Sequence, residues 1–185
     1  MRRVAITGLG VVSPLGNDVE TFWNNIKSGK CGIGDITKFD TTNYKVKVAA
    51  EVKDFDVSPY MEKMDILHSD IYTHFAMGAA CQAMEDSGIQ GTVEKDRIGV
   101  MIGSGIGGID TFMKEHNKLI EKGPKRVSPF FIPMMIPNMA SSMIAIKFGC
   151  MGPALPAVTA CASGSNAIGE AMRMIRHGYV DAMIA

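Results

Sequence analysis

Short apolar runs alternate along the chain with longer stretches in which apolar residues recur every three or four positions. Val4, Ala5, Ile6 and Thr7 form a β-prone run closed by Gly8-Leu9-Gly10, which predicts a buried strand and a turn. Asp18 is placed to cap a helix through Phe22, Trp23 and Ile26 that stops at Gly29. Residues 30–58 are mixed, with alternation at Val46, Val48 and Ala50 predicting a small strand. From Ser69 to Ser87, Tyr72, Phe75, Ala76, Ala79, Ala80 and Ala83 keep helical spacing, and Gly88 supplies the stop.

A second buried strand is predicted at residues 97–102, running into Gly103-Ser104-Gly105-Ile106-Gly107-Gly108 and then a helix through Phe112, Leu119 and Ile120. Pro129, Pro133 and Pro137 rule out one regular helix across the apolar segment Phe130 to Met135. Asn138 or Ser141 opens a helix ending near Gly149. Ala157-Val158-Thr159-Ala160 predicts a third strand leading directly into Cys161. A helix from Ala162 to His177 follows, with Ile168, Ala171, Met172 and Ile175 on one face. Tyr179 to Ala185 begins a fourth strand. Strands alternating with helices predict an α/β fold whose mainly parallel sheet is covered on both faces. A chain closing inside such a strand is expected to be truncated: one domain over residues 1–185, with a second half absent.

Composition narrows the classes. At 46% hydrophobic and 21% charged the chain is globular, not disordered. Nineteen basic residues balance nineteen acidic ones, so global charge argues for neither nucleic acid nor an anionic membrane. No apolar run approaches the roughly 20 residues that cross a bilayer. Met1-Arg2-Arg3-Val4-Ala5-Ile6 imitates a signal peptide, but Thr7, Gly8 and Gly10 break its apolar stretch. A cytoplasmic location is expected. Cys31, Cys81, Cys150 and Cys161 show neither C-x-x-C spacing nor a disulfide pattern, which predicts thiols. Cys81 and Cys150 read as small buried hydrophobes. Fifteen Met and 20 Gly are compatible with an adaptable apolar site. No cluster has metal-ligand spacing, so neither a metal nor a cofactor is expected.

Residues 156–169, Pro-Ala-Val-Thr-Ala-Cys-Ala-Ser-Gly-Ser-Asn-Ala-Ile-Gly, carry the chemistry. A strand delivers Cys161 to a sharp turn and a helix begins at once. Backbone N–H groups and the positive end of the helix dipole then face the sulfur, and both favour thiolate over thiol. Gly164, Gly169 and the neighbouring alanines are expected to let this helix sit close to its surroundings. A thiolate there is a good acceptor for an acyl group arriving as a thioester. The alternative for any single apolar cysteine is a structural role at a strand end.

At this segment the chain resembles the β-ketoacyl-acyl-carrier-protein synthases, most closely the type II elongating enzymes of fatty acid synthesis. The resemblance covers the whole chain. Residues 4–16 (Val-Ala-Ile-Thr-Gly-Leu-Gly-Val-Val-Ser-Pro-Leu-Gly) are similar to the family's opening, and residues 103–108 to its glycine loop. Ser128-Pro129-Phe130-Phe131-Ile132-Pro133 and Ile136-Pro137-Asn138-Met139 resemble its pocket and interface segment, and Thr159-Ala160-Cys161-Ala162-Ser163-Gly164 its nucleophile motif. The resemblance implies a thiolase-like fold of two similar α/β halves, this chain supplying the N-terminal one. It implies transfer of an acyl group from acyl carrier protein to Cys161, then condensation with a decarboxylating malonyl group on carrier protein. Ile106 and Phe131 would line the acyl pocket, Phe131 reaching it across a homodimer interface. The Cys161 N–H would serve as one oxyanion donor.

Two departures follow. The family's two histidines and lysine for decarboxylation come from the second half, and His68, His74, His116 and His177 match no such motif. His177 lies sixteen residues of helix beyond Cys161, roughly 24 Å at 1.5 Å per residue, too far to assist it. At residues 61–71 the family carries several Lys and Arg that dock the acidic carrier protein, whereas here Lys63 alone remains. Lys125 and Arg126 resemble its other basic docking pair, although such charges are usually solvated surface.

Rival readings are a dinucleotide site, a polyketide-type ketosynthase half and a non-catalytic fragment. Residues 103–108 satisfy G-x-G-x-x-G between a strand and a helix. About 20 residues on, however, the chain reads Gly123-Pro124-Lys125-Arg126, with no acidic strand end to hold a ribose.

Overall fold

A computed structural model describes residues 2–185. Elements whose ends carry local chemical signals form where the pattern places them. α1 (Val19–Lys27) starts at Asp18, whose carboxylate accepts the Thr21 N–H at 2.7 Å, and Gly29 beyond it takes the left-handed conformation. β1 (Ile33–Asp35) and β2 (Val48–Ala50) pair antiparallel as a small ribbon. α2 (Lys63–Leu67) is a short helix absent from the periodicity reading. α3 (Ile71–Ser87) begins at Asp70 and ends at Gly88, φ 59°.

β3 (Ile98–Gly103) leads into α4 (Ile109–Lys122), a 3-10 turn at Pro124–Arg126 and α5 (Phe131–Met135). Pro133 is tolerated because it lies in the first turn of α5, where its missing N–H has no helical partner. α6 (Met139–Phe148) closes on Gly149, and β4 (Ala154–Ala157) follows. A 3-10 turn at Ala160–Ala162 opens into α7 (Ser163–Arg176), and β5 is Ala182–Ile184.

β3 is the centre of a fully parallel sheet ordered β4-β3-β5, with Val100 beside Ala154 and Ile98 beside Ala182. Both faces are covered, as expected. On one, Val100 and Ile184 pack with Met77, Ala80 and Met84 of α3 and Ile144 and Ala145 of α6. The other receives α7, whose Ala167 and Ala171 are buried. Val100 and Ile144 are fully inaccessible, and each such side chain contributes about 1.5–3 kcal/mol by leaving water. Ser141 of α6 joins two strands: its hydroxyl accepts the Ile102 N–H at 3.2 Å and donates to the Leu155 carbonyl at 2.8 Å.

Four expectations need correction. Residues 4–7 join no strand ladder, and Ile6 is 81% exposed. The next residues lie on α3 instead, with the Leu9 N–H donating to Asp86 and the Val11 N–H to Gln82. A Cβ on Gly8 or Gly10 would strike the Ala83 or Ala79 carbonyl oxygen, so glycine permits that approach. Second, β4 lies three residues earlier than expected and stops at Ala157, leaving a longer connection before Cys161. Third, Gly164 and Gly169 face open space, and the close approach to α7 is made by Gly103 of β3. Fourth, α7 buries Ser163, Ala167 and Ala171, while Ile168 and Met172 stay exposed.

Candidate active site

The turn carrying Cys161 is held by hydroxyl and amide side chains. Thr159 donates its N–H to Ser163 Oγ at 2.9 Å, and that hydroxyl donates to the Ala160 carbonyl at 2.7 Å. Asn166 Nδ2 donates to Thr159 Oγ1 at 2.7 Å. Ala160 sits at φ 51°, a left-handed conformation uncommon for a residue with a Cβ. The Ala162 N–H donates to the Thr159 carbonyl, and the Ser163 N–H to the Ala160 carbonyl. The Cys161 N–H lies outside both bonds. Its side chain is exposed at the entry to a 14-residue helix.

The glycine loop meets this turn. A Cβ on Gly103 would lie 2.4 Å from the Ser163 carbonyl oxygen, and one on Gly105 3.4 Å from that of Ala160. The Ser104 N–H donates to the Ala157 carbonyl at 3.0 Å. At its other end the loop packs on the proline-rich segment, where Gly107 and Gly108 abut the carbonyls of Met135 and Met134. Three separately read motifs therefore form one continuous surface. Ile106, at the middle of the loop, is 64% exposed. Phe131 opens α5, half-buried, with its ring centroid 6.2 Å from that of Phe112 on α4. Two surface cavities, of about 410 and 460 Å³, are lined by none of Ile106, Phe131 and Cys161.

Lys63 on α2 and Lys125 and Arg126 in the 3-10 turn are exposed, and none forms a salt bridge among the described residues. His68, which ends α2, stacks on Phe130 with centroids 3.8 Å apart, setting α2 beside the segment that follows Arg126. The other imidazoles have local partners. His74 lies 3.0 Å from Ser69 Oγ, and burial holds its pKa below the ordinary value. His116 stacks parallel to Phe112, and His177 ends α7 at the far end from Cys161.

Sequence reasoning did not single out two buried carboxylates. Asp70 caps α3 and accepts the Thr111 N–H at 2.7 Å, tying the start of α4 to α3. Its position just before a helical run was the available signal. Glu115 of α4 accepts the Ser128 N–H at 2.7 Å and pairs with Lys118, which holds its pKa below the carboxylate norm. Local sequence gives no sign of that contact. Tyr72 donates its hydroxyl to the Ile136 carbonyl at 2.7 Å, and burial raises its pKa.

A parallel α/β sheet with an exposed cysteine at a strand-to-helix turn, backed by a glycine loop, defines the class. Residues 1–185 match the family model described as Beta-ketoacyl synthase, N-terminal domain, and the chain belongs to that family. It is 49% identical over 185 residues to 3-oxoacyl-(acyl-carrier-protein) synthase 2 of Coxiella burnetii (strain RSA 493 / Nine Mile phase I), covering 100% of this chain and 45% of that protein. It is 47% identical over 184 residues to the protein of the same name from Staphylococcus aureus (strain COL), covering 99% and 44%. Among solved structures, the ishigamide ketosynthase/chain length factor aligns with TM-score 0.87 at 25% identity, over 95% of this chain and 44% of that one. A beta-ketoacyl synthase from Burkholderia phymatum STM815 aligns with TM-score 0.83 at 25% identity, over 97% and 45%. The fold is thus the N-terminal half of a thiolase-like ketosynthase, and the chain spans a little under half the length of these relatives. No helix among the described residues is long and apolar enough to cross a membrane.

Proposed function

We propose that this chain supplies the acyl-accepting half of a β-ketoacyl-acyl-carrier-protein synthase. The Cys161 sulfur attacks the carbonyl of an acyl thioester on acyl carrier protein. A new carbon–sulfur bond forms as the carrier's thiol leaves with the proton. In the second step malonyl-carrier protein loses carbon dioxide, and the freed electron pair attacks the acyl-enzyme carbonyl. The carbon–sulfur bond to Cys161 breaks, and a β-ketoacyl chain two carbons longer departs on the carrier. The observation that carries this reading is the exposed Cys161 in a hydrogen-bonded turn against the glycine loop.

Ile106 and Phe131 are assigned to the acyl pocket, and Lys63, Lys125 and Arg126 to docking the acidic carrier. A homodimer is part of the reading. β4 is an edge of the sheet with Leu155 exposed on it, and such an edge favours a covering partner. The decarboxylation groups are assigned to the portion of the relatives' length that this chain does not span. A polyketide role has support in the fold, but identity of 47–49% to fatty-acid-type synthases favours the elongating reading.

The test is intact mass after brief incubation with an acyl thioester. One acyl adduct that Cys161→Ala removes is expected. An adduct that persists in the variant would overturn the assignment of the nucleophile.

A further inference from the structure

Glu115 is an unexpected residue to find buried on α4. It is 5% exposed, while Phe112, Met113, Leu119 and Ile120 of the same helix stand in solvent. Its two oxygens are committed, one to the Ser128 N–H at 2.7 Å and the other to the Lys118 ammonium. Ser128 in turn begins the tight turn that leads into α5. Its hydroxyl accepts the Phe130 N–H at 3.1 Å, and its carbonyl accepts the Phe131 N–H at 3.1 Å. One turn before Glu115, Phe112 meets the Phe131 ring. Lys125 and Arg126 lie just upstream of Ser128, in a turn that leaves the end of α4 through Gly123 at φ 81°. A single buried carboxylate therefore pins the segment bearing the basic pair on one side and Phe131 on the other.

We propose that Glu115 is a positioning residue that keeps Lys125 and Arg126 in register with Phe131. Carrier docking and acyl-chain entry are thereby fixed on one anchored segment. The inference rests on the roles assigned to those three residues above. It extends them by naming what holds them together. Without the anchor, residues 123–130 keep their charges but lose a fixed geometry relative to the pocket, so carrier-borne substrates suffer most. A small thioester, which reaches Cys161 without docking, suffers less.

The experiment compares acyl transfer to Cys161 of the protein from acyl-carrier protein and from a short acyl-pantetheine thioester. Glu115→Ala is expected to lower kcat/KM for the carrier donor about tenfold more than for the small donor, through KM. Glu115→Gln still accepts the Ser128 N–H and is expected to recover most of that preference. Amide exchange at Ser128, Phe130 and Phe131 should accelerate in Glu115→Ala and not in Glu115→Gln. Should Glu115→Ala fail to fold, Glu115→Asp draws the carboxylate back from Ser128 and is expected to show the same selective loss. Equal loss for both donors, or an unchanged ratio, overturns the inference. The double variant Lys125→Ala/Arg126→Ala separates the two readings. If it abolishes the carrier preference while the Glu115 variants leave it intact, docking stands and the inference falls. If none of the variants alters the preference, the docking assignment falls too.

Discussion

The Ser163 hydroxyl donates to the Ala160 carbonyl at 2.7 Å, closing the turn on which Cys161 stands. Ser163 is 3% exposed, and the same oxygen accepts the Thr159 N–H. Replacing it with alanine removes both of these bonds, leaving the Thr159 N–H without its partner and the Ala160 carbonyl with the Ser163 N–H alone. Ser163→Ala is expected to destabilise the fold by about 1–3 kcal/mol and to slow acylation of Cys161 more than the stability loss explains. Urea unfolding and acyl-adduct formation, measured on one preparation, test this. Unchanged acylation in a destabilised variant would show that the turn keeps its shape without the bridge.

Gly103 and Gly164 behave oppositely under the same substitution. A Cβ at Gly103 would meet backbone atoms of Ser163 and Gly164 at 2.4–2.6 Å, so α7 must move. Gly103→Ala is expected to cost about 1–3 kcal/mol and to disturb the cysteine turn. A Cβ at Gly164 meets nothing within 4 Å, and helical Gly→Ala is expected to stabilise by about 0.4–1 kcal/mol. Paired thermal melts decide it. Comparable losses at both positions would contradict the packing described above.

That contrast separates what the local sequence encodes from what distant contacts decide. α1, α3 and α6 were legible because their signals are local: Asp18 caps Thr21, and Gly88 and Gly149 take left-handed stops. Cys161 at a helix entry was legible for the same reason. β4 was misplaced because residues 154–160 are apolar without alternation, so nothing local fixes which of them join the ladder. Pro156 gave a hint, since a residue without an N–H suits an edge strand. Residues 4–7 have strand composition, but a strand exists only where distant backbone pairs with it. Which glycine permits the approach of α7, and that Glu115 reaches Ser128, are facts about distant contacts. The residues proposed for docking and for the pocket were drawn from family resemblance alone, since a lone exposed Lys or Ile carries no signal of its own.

The four cysteines should separate into two pairs. Cys81 and Cys150 are half-buried against the core, and burial pushes both thiols up from their ordinary range. Cys31 and Cys161 are exposed. Brief alkylation of the folded protein near neutral pH is expected to modify the exposed pair and spare the other two, whose labelling rises only in alkali. An acyl thioester is expected to mark Cys161 and leave Cys31 untouched. That outcome separates placement in the turn from mere exposure. Acylation of Cys31 at a matching rate would remove the distinction.

Acid stability should depend on Asp181. Arg97 first and then Arg2 hold this carboxylate down to about 2 from its ordinary 3.8. A depressed carboxylate contributes stability above its unfolded value, and that contribution is lost as pH falls through the folded one. The window is therefore from 3.8 down to about 2. Asp181→Asn leaves Arg97 its bonds to the Tyr179 and Gly178 carbonyls. It is expected to flatten this limb of the stability curve. A limb as steep as that of the parent protein would assign the acid transition to other carboxylates.

If Lys63, Lys125 and Arg126 dock the carrier as proposed, salt should reveal it. Lys63 and the Lys125–Arg126 pair are exposed without ion-pair partners among the described residues, and the His68–Phe130 stack holds their segments side by side. Charges so placed act over distance, raising the encounter rate with an acidic partner more than they slow its departure. Lys125→Ala/Arg126→Ala is expected to slow association with acyl carrier protein several-fold at low ionic strength. The difference should fade toward 1 M salt, where the screening length falls to about 3 Å from about 10 Å at 0.1 M. Lys63→Ala should act in the same direction and more weakly, since it removes one charge rather than two. Stopped-flow association across a salt series tests both. A defect that persists undiminished in high salt would mean that the pair makes close contacts in the complex. No defect at any salt would place carrier docking on another face of the protein.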